Sequence, residues 1–236
     1  MCIAKQYGKA VAASKVKEPW NAMSDLPAPP YGLDAVDIQG RERLHDGFLK
    51  VDRYKVRCRL FQGGWSQPFY REILVRQPGV GVLLYDPLLD KVLLVEQFRA
   101  GCLDDAHNGP WALELVAGLL ETGETPEDVA RREAQEEAGV EVHGILLKVC
   151  EYYNSPGGSS EKLTVLCGRF DAERTASGIF GLASESENIR SHVIDRAQAL
   201  AGVRAGRINN AMSIIALQWL ELNLASVRAA LVADPA

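Results

Sequence analysis

The sequence predicts an α/β protein whose main body follows an antiparallel β segment. Three observations carry that prediction. Val36 to Leu74 reads mainly as antiparallel strands, and VGVLLYDPLLDKVLLVEQFRAG continues as a strand hairpin. A helix crowded with carboxylates starts near Thr125 and lies between predicted strands. An apolar helix closes the body near Leu222. These signals divide the chain into an extension over 1–33, an accessory β domain over 34–76, the main domain over 77–222 and a C-terminal tail over 223–236.

The extension mixes a short helical stretch with a Pro-rich approach, where Pro27, Pro29 and Pro30 prevent a continuous strand or helix. Trp20 is a candidate anchor, and docking, disorder and a role in binding all stay open. Phe48 to Arg59 partly alternates, with Val51, Tyr54, Val56 and Cys58 supplying apolar positions. Gly63-Gly64 then offers a tight turn before a strand over Phe69 to Val75. Asp86-Pro87 through Asp90 turns the next hairpin. Trp111 to Ala117 reads as one apolar strand delivering Gly118 and the acidic segment. Strands over Val140 to Tyr153 and Leu163 to Phe170 flank Ser155-Pro156-Gly157-Gly158-Ser159-Ser160, either a substrate wall or a simple turn. Asn209 or Asn210 caps a closing run containing Met212, Ile214, Ile215, Leu217, Trp219 and Leu220, in which Trp219 reads as core rather than a nucleotide stack.

The acidic helix has legible ends. Thr125 is a good N-cap, Pro126 suits the first helical position, and Asp128 can complete a reciprocal cap. Gly139 can close the helix in the left-handed conformation. Val129, Ala130, Ala134 and Ala138 form a thin apolar seam, with the carboxylates expected on the opposite face. Glu133, Glu136 and Glu137 crowd one stripe, and such like-charge pairs cost a few tenths of a kcal/mol each. The stripe therefore suggests a compensating cation or a basic partner, and carboxylates suit a hard divalent ion that keeps waters near phosphate. The carbonyl of Ala117 at the preceding strand end is a further candidate ligand, and Arg132 is placed to orient a neighbouring carboxylate. Glu127 on the first turn is expected to serve capping or solvation. A solvated acidic helix is the competing reading. Arg99 and Arg71 are candidate phosphate clamps, with surface ion pairs as the alternative.

Composition narrows the classes. A formal charge of −5 argues against a nonspecific nucleic-acid surface. Five cysteines, an odd number without close metal-binding pairs, favour a reducing compartment and hence a cytoplasmic location. No apolar run reaches membrane-spanning length, and the charged N-terminal segment lacks a secretory core, so no membrane partner is expected.

The full spacing reads Gly118, five residues, Glu124, seven residues, Arg132-Glu133, Ala134, any residue, Glu136-Glu137, any residue, Gly139-Val140. It resembles the Nudix box at every defining position. From Val36 to Leu222 the chain resembles the ADP-ribose pyrophosphatases of the Nudix superfamily, through EILVRQPGVGVLL, VLLVEQFRAG, WALELVAGLLETGE, SPGGSSE, TASGIFGLASESENI and INNAMSIIALQWL. The resemblance implies a Nudix α/β/α sandwich with a mixed β-sheet and an N-terminal antiparallel β domain. It also implies a homodimer with exchanged N-terminal strands that complete the partner's adenosine pocket. By resemblance, Ala117 through its carbonyl, Glu133, Glu137 and Glu187 hold Mg2+, with Mn2+ as a substitute. Glu185 is the base, and Glu136 is counted with it as catalytic. Gly118, Glu124, Arg132 and Gly139 support the motif. Ser184 departs from the aspartate common in such sequences, which puts the charge and closure of its loop in question.

The implied reaction is hydrolysis of ADP-ribose to AMP and ribose 5-phosphate. Phe48 is expected against adenine, Arg71 and Arg99 on the diphosphate, and Glu161 near the terminal ribose or in loop closure. Two alternatives stand beside it: a Nudix hydrolase for another nucleoside diphosphate sugar or related diphosphate, and a noncatalytic nucleotide-binding regulatory module.

Overall fold

A computed structural model describes Pro27 and residues 30–233. Expectations for residues 1–26, 28–29 and 234–236, Trp20 and Pro29 included, lie outside the described residues. The antiparallel segment forms a three-stranded sheet of β1 (Val36–Asp46), β2 (Lys50–Cys58) and β3 (Phe69–Val75), in that order. Gly63 and Gly64 take φ of 91° and 81°, the left-handed turn that glycine accepts without strain. On this sheet Asp52 is buried between Arg41, whose Nε donates at 2.7 Å, and Arg43. The Arg43 guanidinium holds the Asp52 carboxyl below the usual range. β3 joins the main body through the Pro-Gly-Gly loop, where Leu74 N donates to Gly158 O at 2.8 Å and Ser160 N to Leu74 O at 3.0 Å.

The main sheet has eight strands: β4 (Gly79–Asp86), β5 (Lys91–Phe98), β6 (Trp111–Glu114), β7 (Val116–Leu119), β8 (His143–Tyr153), β9 (Lys162–Arg169), β10 (Ile179–Phe180) and β11 (Ile189–Asp195). It is mixed, because β4 runs parallel to β9 while the other pairings are antiparallel. The β4–β5 hairpin pairs only from Leu84–Asp86 to Lys91–Leu93. Beyond that the strands splay, β6 pairs with β5, and β7 pairs with β4. The expected single strand over Trp111 to Ala117 is thus two short strands, because the chain changes partner at Leu115. There the unpaired Leu115 N–H donates to the buried Ser213 hydroxyl at 3.1 Å, which satisfies it away from water.

Helices cover both faces, so β4 is buried along its whole length rather than alternating. Val82, Leu84 and Leu93 pack with α1 (Pro126–Ala138). Leu83, Tyr85 and Leu94 pack with α3 (Ala211–Leu222) and α4 (Leu224–Ala233). Asn210, rather than Asn209, caps α3 by accepting from Ser213 N. Trp219 packs against this core. A short α2 (Arg196–Arg204) is opened by a capping box of Asp195 and Gln198. The stretch read as a tail contains α4, whose Val227 and Leu231 are buried. Among the described residues no single helix is long and apolar enough to cross a membrane; the bent pair α3 and α4 passes on length and composition, with core residues on both helices.

The hairpin turn at Asp90 ties the helices to the sheet. Its carboxylate accepts from Tyr85 Oη at 2.9 Å and Arg196 Nε at 2.8 Å, and pairs with Arg228 Nη2 at 2.6 Å. Burial pushes its pKa up, but the bonds from Arg196, Arg228 and Tyr85 outweigh that and bring it down to about 2. Because the folded value lies below the ordinary 3.8, this contribution is present above that pH and is lost as pH falls through about 2. Asp90 has φ of 56°, which asparagine also tolerates, so Asp90→Asn isolates the charge. The variant should lose about 1 kcal/mol after allowance for solvent screening, or about 2–4 °C in melting temperature. Its acid-unfolding profile should also flatten between the ordinary aspartate range and pH 2. An unchanged melting curve at pH 7 together with an unchanged acid profile would remove the network from the fold's stability.

Candidate active site

The signals read from the acidic helix organise the site. Thr125 Oγ1 accepts from Asp128 N at 3.2 Å while Thr125 N donates to Asp128 Oδ2 at 2.9 Å, and Pro126 occupies the first helical position. Gly139 closes the helix with φ of 63°. The next strand starts at His143 instead of Val140, because Val140 N still reaches back to Ala134 O at 3.0 Å.

The carboxylates do not all lie opposite the apolar seam, which corrects the expectation for this face. Glu137 is only 2% exposed, and Glu133 is largely covered. With 3.6 residues per turn, positions 133 and 137 fall between Val129 and Ala130 on the same buried face. That face packs on β7, where Ala117 N donates to Glu137 Oε2 at 3.0 Å. A Cβ at Gly118 would sit 1.7 Å from Glu133 Oε1, so only glycine leaves room for that carboxylate. Arg132 does more than touch its neighbour. Its Nε donates to Glu124 Oε1 at 3.0 Å, and its Nη1 reaches Glu133 Oε1 at 2.7 Å and Glu136 Oε2 at 3.2 Å.

Burial pushes the Glu137 carboxyl up to about 8, against the Ala117 N–H, and the like charges of Glu133 and Glu187 push the same way. Burial raises Glu133 as well, with Arg132 opposing. Glu187 follows β10 on a loop that contains a 3-10 turn over Ala183–Glu185. Gly181 N fastens the loop to α1 through Glu136 O at 3.2 Å, and Glu187 Oε2 accepts from Leu182 N at 3.1 Å. The backbone of Glu185 lies in that turn, while its side chain lies outside the described atoms.

A cavity of about 1290 Å³ opens over these elements. Of the residues singled out from sequence, Phe48, Arg99, Ala117, Gly118, Arg132, Glu133, Glu161 and Glu187 line it. Glu124, Glu136, Glu137 and Gly139 are not among the lining residues, although Glu137 bonds the lining Ala117 and Glu124 and Glu136 bond the lining Arg132. Arg71 is not brought in. It is exposed on β3, with its guanidinium 4.5 Å from the Phe69 ring centroid and Nη1 on Tyr70 O at 2.8 Å. Arg99 lines the cavity and is also ion-paired, with Nε 2.8 Å from Glu114 Oε2, so its two readings coexist. Glu161 is held by Arg76 Nε at 3.2 Å and Asn154 Nδ2 at 2.9 Å. Sequence reasoning missed Arg76, Glu114, Asn154, Gln97 and Tyr152, all of which line the cavity. No short-range spacing signals them: Arg76 and Glu161 are 85 residues apart. Gly158 and Ser160 of the Pro-Gly-Gly loop fasten β3, and the flanking Asn154 and Glu161 face the cavity instead.

The donors are carboxylates and a backbone carbonyl, hard oxygens of the kind magnesium and manganese take. Among the described residues no three acidic, histidine or cysteine side chains already stand together as a ready ion cage. Glu133 leans on Arg132 and Glu137 on the Ala117 N–H. The desolvated like charges of Glu133 and Glu137, with the space above Gly118, nevertheless fit a cation better than an empty acidic face.

A model of the NUDIX domain matches residues 75–209. The chain belongs to the Nudix family, which in general requires a divalent metal. Within it, the ADP-ribose pyrophosphatase of Escherichia coli strain K12 is 48% identical over 193 residues, covering 82% of this chain and 91% of the relative. That of Haemophilus influenzae is 42% identical over 195 residues, 82% and 89% of the two chains. A GDP-mannose pyrophosphatase of Yersinia enterocolitica is 31% identical over 182 residues, 77% and 93% of the two. A crystal structure of an ADP compounds hydrolase shares the fold, with a TM-score of 0.63 at 17% identity, over 84% of this chain and 99% of that one.

Gly118→Ala should push the Glu133 carboxylate off β7 and weaken Mn2+ binding, read by calorimetry, about 10–100-fold. Far-UV circular dichroism should be unchanged. Undiminished Mn2+ affinity would show that the close fit of Glu133 over Gly118 does not shape a metal site.

Proposed function

We propose that the chain hydrolyses ADP-ribose to AMP and ribose 5-phosphate, using magnesium or, in its place, manganese. The observation that carries this reading is the juxtaposition of the largely covered Glu133 and the buried Glu137, the glycine gap at Gly118 and the arginine-bearing cavity above them. The 48% identity to an ADP-ribose pyrophosphatase supports the choice of substrate.

Glu133, Glu137, Glu187 and the Ala117 carbonyl would hold the metal. Bound divalent cations would supply positive charge to the diphosphate and acidity to the attacking water. The chain's own groups do the rest. Glu185 takes the proton of the water as its oxygen attacks phosphorus, and the bridging oxygen leaves with one phosphate. Glu136 has a supporting part, since its carboxylate bonds Arg132 and its carbonyl anchors the loop at Gly181. Arg99, already aligned by Glu114, binds diphosphate oxygens, Phe48 packs on adenine, and Glu161 faces the terminal ribose. A loop that turns through Gly181 and Ser186, both at positive φ, suits a base that must approach substrate, and Ser184 lowers its charge.

Two copies associating through the three-stranded sheet would bring Arg71 to the partner's cavity. Ile38 and Tyr70, 61% and 59% exposed on that sheet, and Phe48, 93% exposed in the turn between β1 and β2, support such an interface. Free thiols at Cys58, Cys102, Cys150 and Cys167 fit the reducing cytoplasm.

The 31% identity to a GDP-mannose pyrophosphatase favours a second reading, another nucleoside diphosphate sugar. Turnover across ADP-ribose, ADP-glucose, GDP-mannose, NADH and nucleoside triphosphates, with either metal, decides between them. ADP-ribose should give the highest kcat/KM with AMP and ribose 5-phosphate as products; a clear preference for another substrate overturns the first reading. Tight ADP-ribose binding without any cleavage would indicate a regulatory module.

Glu137→Gln and Glu133→Gln should collapse turnover while the helix persists, and Glu127→Gln, exposed on the first turn, should stay near wild type. Glu185→Gln should lower kcat about 10²–10⁴-fold with metal and substrate binding kept. Glu187→Gln should raise the metal concentration required. Wild-type kcat in Glu185→Gln would assign the base elsewhere.

A further inference from the structure

Among the described residues, two buried side-chain polar atoms have no hydrogen-bond partner, Gln97 Nε2 and Tyr152 Oη, and both residues line the same cavity. A buried unpaired polar group costs stability and calls for an explanation. Tyr152 lies on β8 opposite Leu163 of β9, with its ring against the core beneath α3. Burial pushes its phenol up to about 12, so at neutral pH it keeps its proton and can donate.

Its surroundings define what it can meet. Asn154 and Glu161 stand at the same β8–β9 turn, joined by Asn154 N to Glu161 O at 3.2 Å, and Arg76 and Asn154 hold the Glu161 carboxylate into the cavity. In the sheet order this end is set by β9 and β8, whereas Ala117 and Gly118 lie on β7 and Glu187 precedes β11 on the far side of β4. The neutral phenol and the Glu161 carboxylate, which is already paired with Arg76, leave this end without a spare positive charge for a phosphate. Together they offer an acceptor and a donor, the complement of hydroxyl groups that can do both. The Glu133 and Arg99 region needs no such neutral donor to hold a charged diphosphate.

We propose that Tyr152 is a specificity-determining residue whose hydroxyl, with the Glu161 carboxylate, binds hydroxyls of the sugar that the substrate carries beyond its diphosphate. This rests on the reading of the cavity as a nucleoside diphosphate sugar site. The contact distinguishes a hydroxylated distal group from a bare phosphate, a distinction that the carboxylate helix and the arginines cannot make. A site built to hydrogen-bond a hydroxyl discriminates well because a ligand lacking it leaves the buried phenol unpaired.

The test compares the full chain with Tyr152→Phe. Calorimetry without divalent metal, which avoids turnover, gives the affinity ratio of ADP-ribose to ADP. The wild type should bind ADP-ribose more tightly than ADP, and Tyr152→Phe should shrink that ratio about 3–10-fold, the range of one neutral hydrogen bond. The melting temperature should hold or rise, since the substitution removes an unpaired buried group. A wild type that binds ADP-ribose no better than ADP, or a variant that keeps the full ratio, overturns the proposal. So does an equal weakening of both ligands with a lowered melting temperature, which assigns Tyr152 to packing. Hydrolysis is read separately: absence of AMP and ribose 5-phosphate with an intact affinity ratio defeats the proposed reaction and leaves the sugar subsite standing.

Discussion

Two carboxylates brought out of water next to one another repel, and the protein holds Glu133 and Glu137 in that state one helical turn apart against β7. Their raised pKa values measure the difficulty, with desolvation as the largest cause for both. Three local features make it tolerable. Gly118 removes the side chain that would occupy the space of Glu133, the Ala117 N–H bonds Glu137, and Arg132 spreads one positive charge over Glu124, Glu133 and Glu136. Arg132 itself is held by Glu124, so the compensation is fixed in place before any ligand arrives.

That arrangement depends in turn on β7 reaching the middle of the sheet. The β4–β5 hairpin can admit β6 and β7 only because it pairs over three residue pairs and then opens. The change of partner strands the Leu115 N–H, and the Ser213 hydroxyl recovers it from α3 on the opposite face. One capped helix therefore supplies the carboxylates, and another repairs the backbone irregularity that makes room for them. The position of the site is a consequence of sheet geometry as much as of motif.

What was legible in the sequence was what depends on near neighbours. The ends of α1 could be read because Thr125, Pro126, Asp128 and Gly139 act within a turn of themselves, and the hairpin at Asp90 because its turn chemistry is local. The buried face of α1 is not legible in this way, since counting apolar residues alone puts any glutamate outside, and the Ala117 N–H that bonds Glu137 is 20 residues away. The break at Leu115 rests on a bond spanning 98 residues, and the Arg76–Glu161 pair on one spanning 85. Helix α2, nine residues with Gly202 inside it, and the alanine-rich α4 have weak signals of their own and are stabilised by docking on the sheet. The residues of the candidate site that carry charge in a fixed motif were thus visible, while those that complete its walls were not.

The two sides of the site also differ in how firmly they are tied. α1 is closed at both ends and packed along a buried face, so its carboxylates are positioned by the core. Among the described atoms, the loop from Gly181 to Asn188 is attached by the Gly181 N–H to Glu136 O, and within it Glu187 accepts from Leu182 N and returns its own N–H to Leu182 O. Its anchor is a carbonyl of the same helix turn whose side chain bonds Arg132. Any displacement of that turn moves the loop's attachment and the charge balance around Glu133 together. A group carried on the loop is then referenced to the carboxylate helix rather than to bulk solvent, because the loop's anchor and the charge balance around Glu133 share one helix turn.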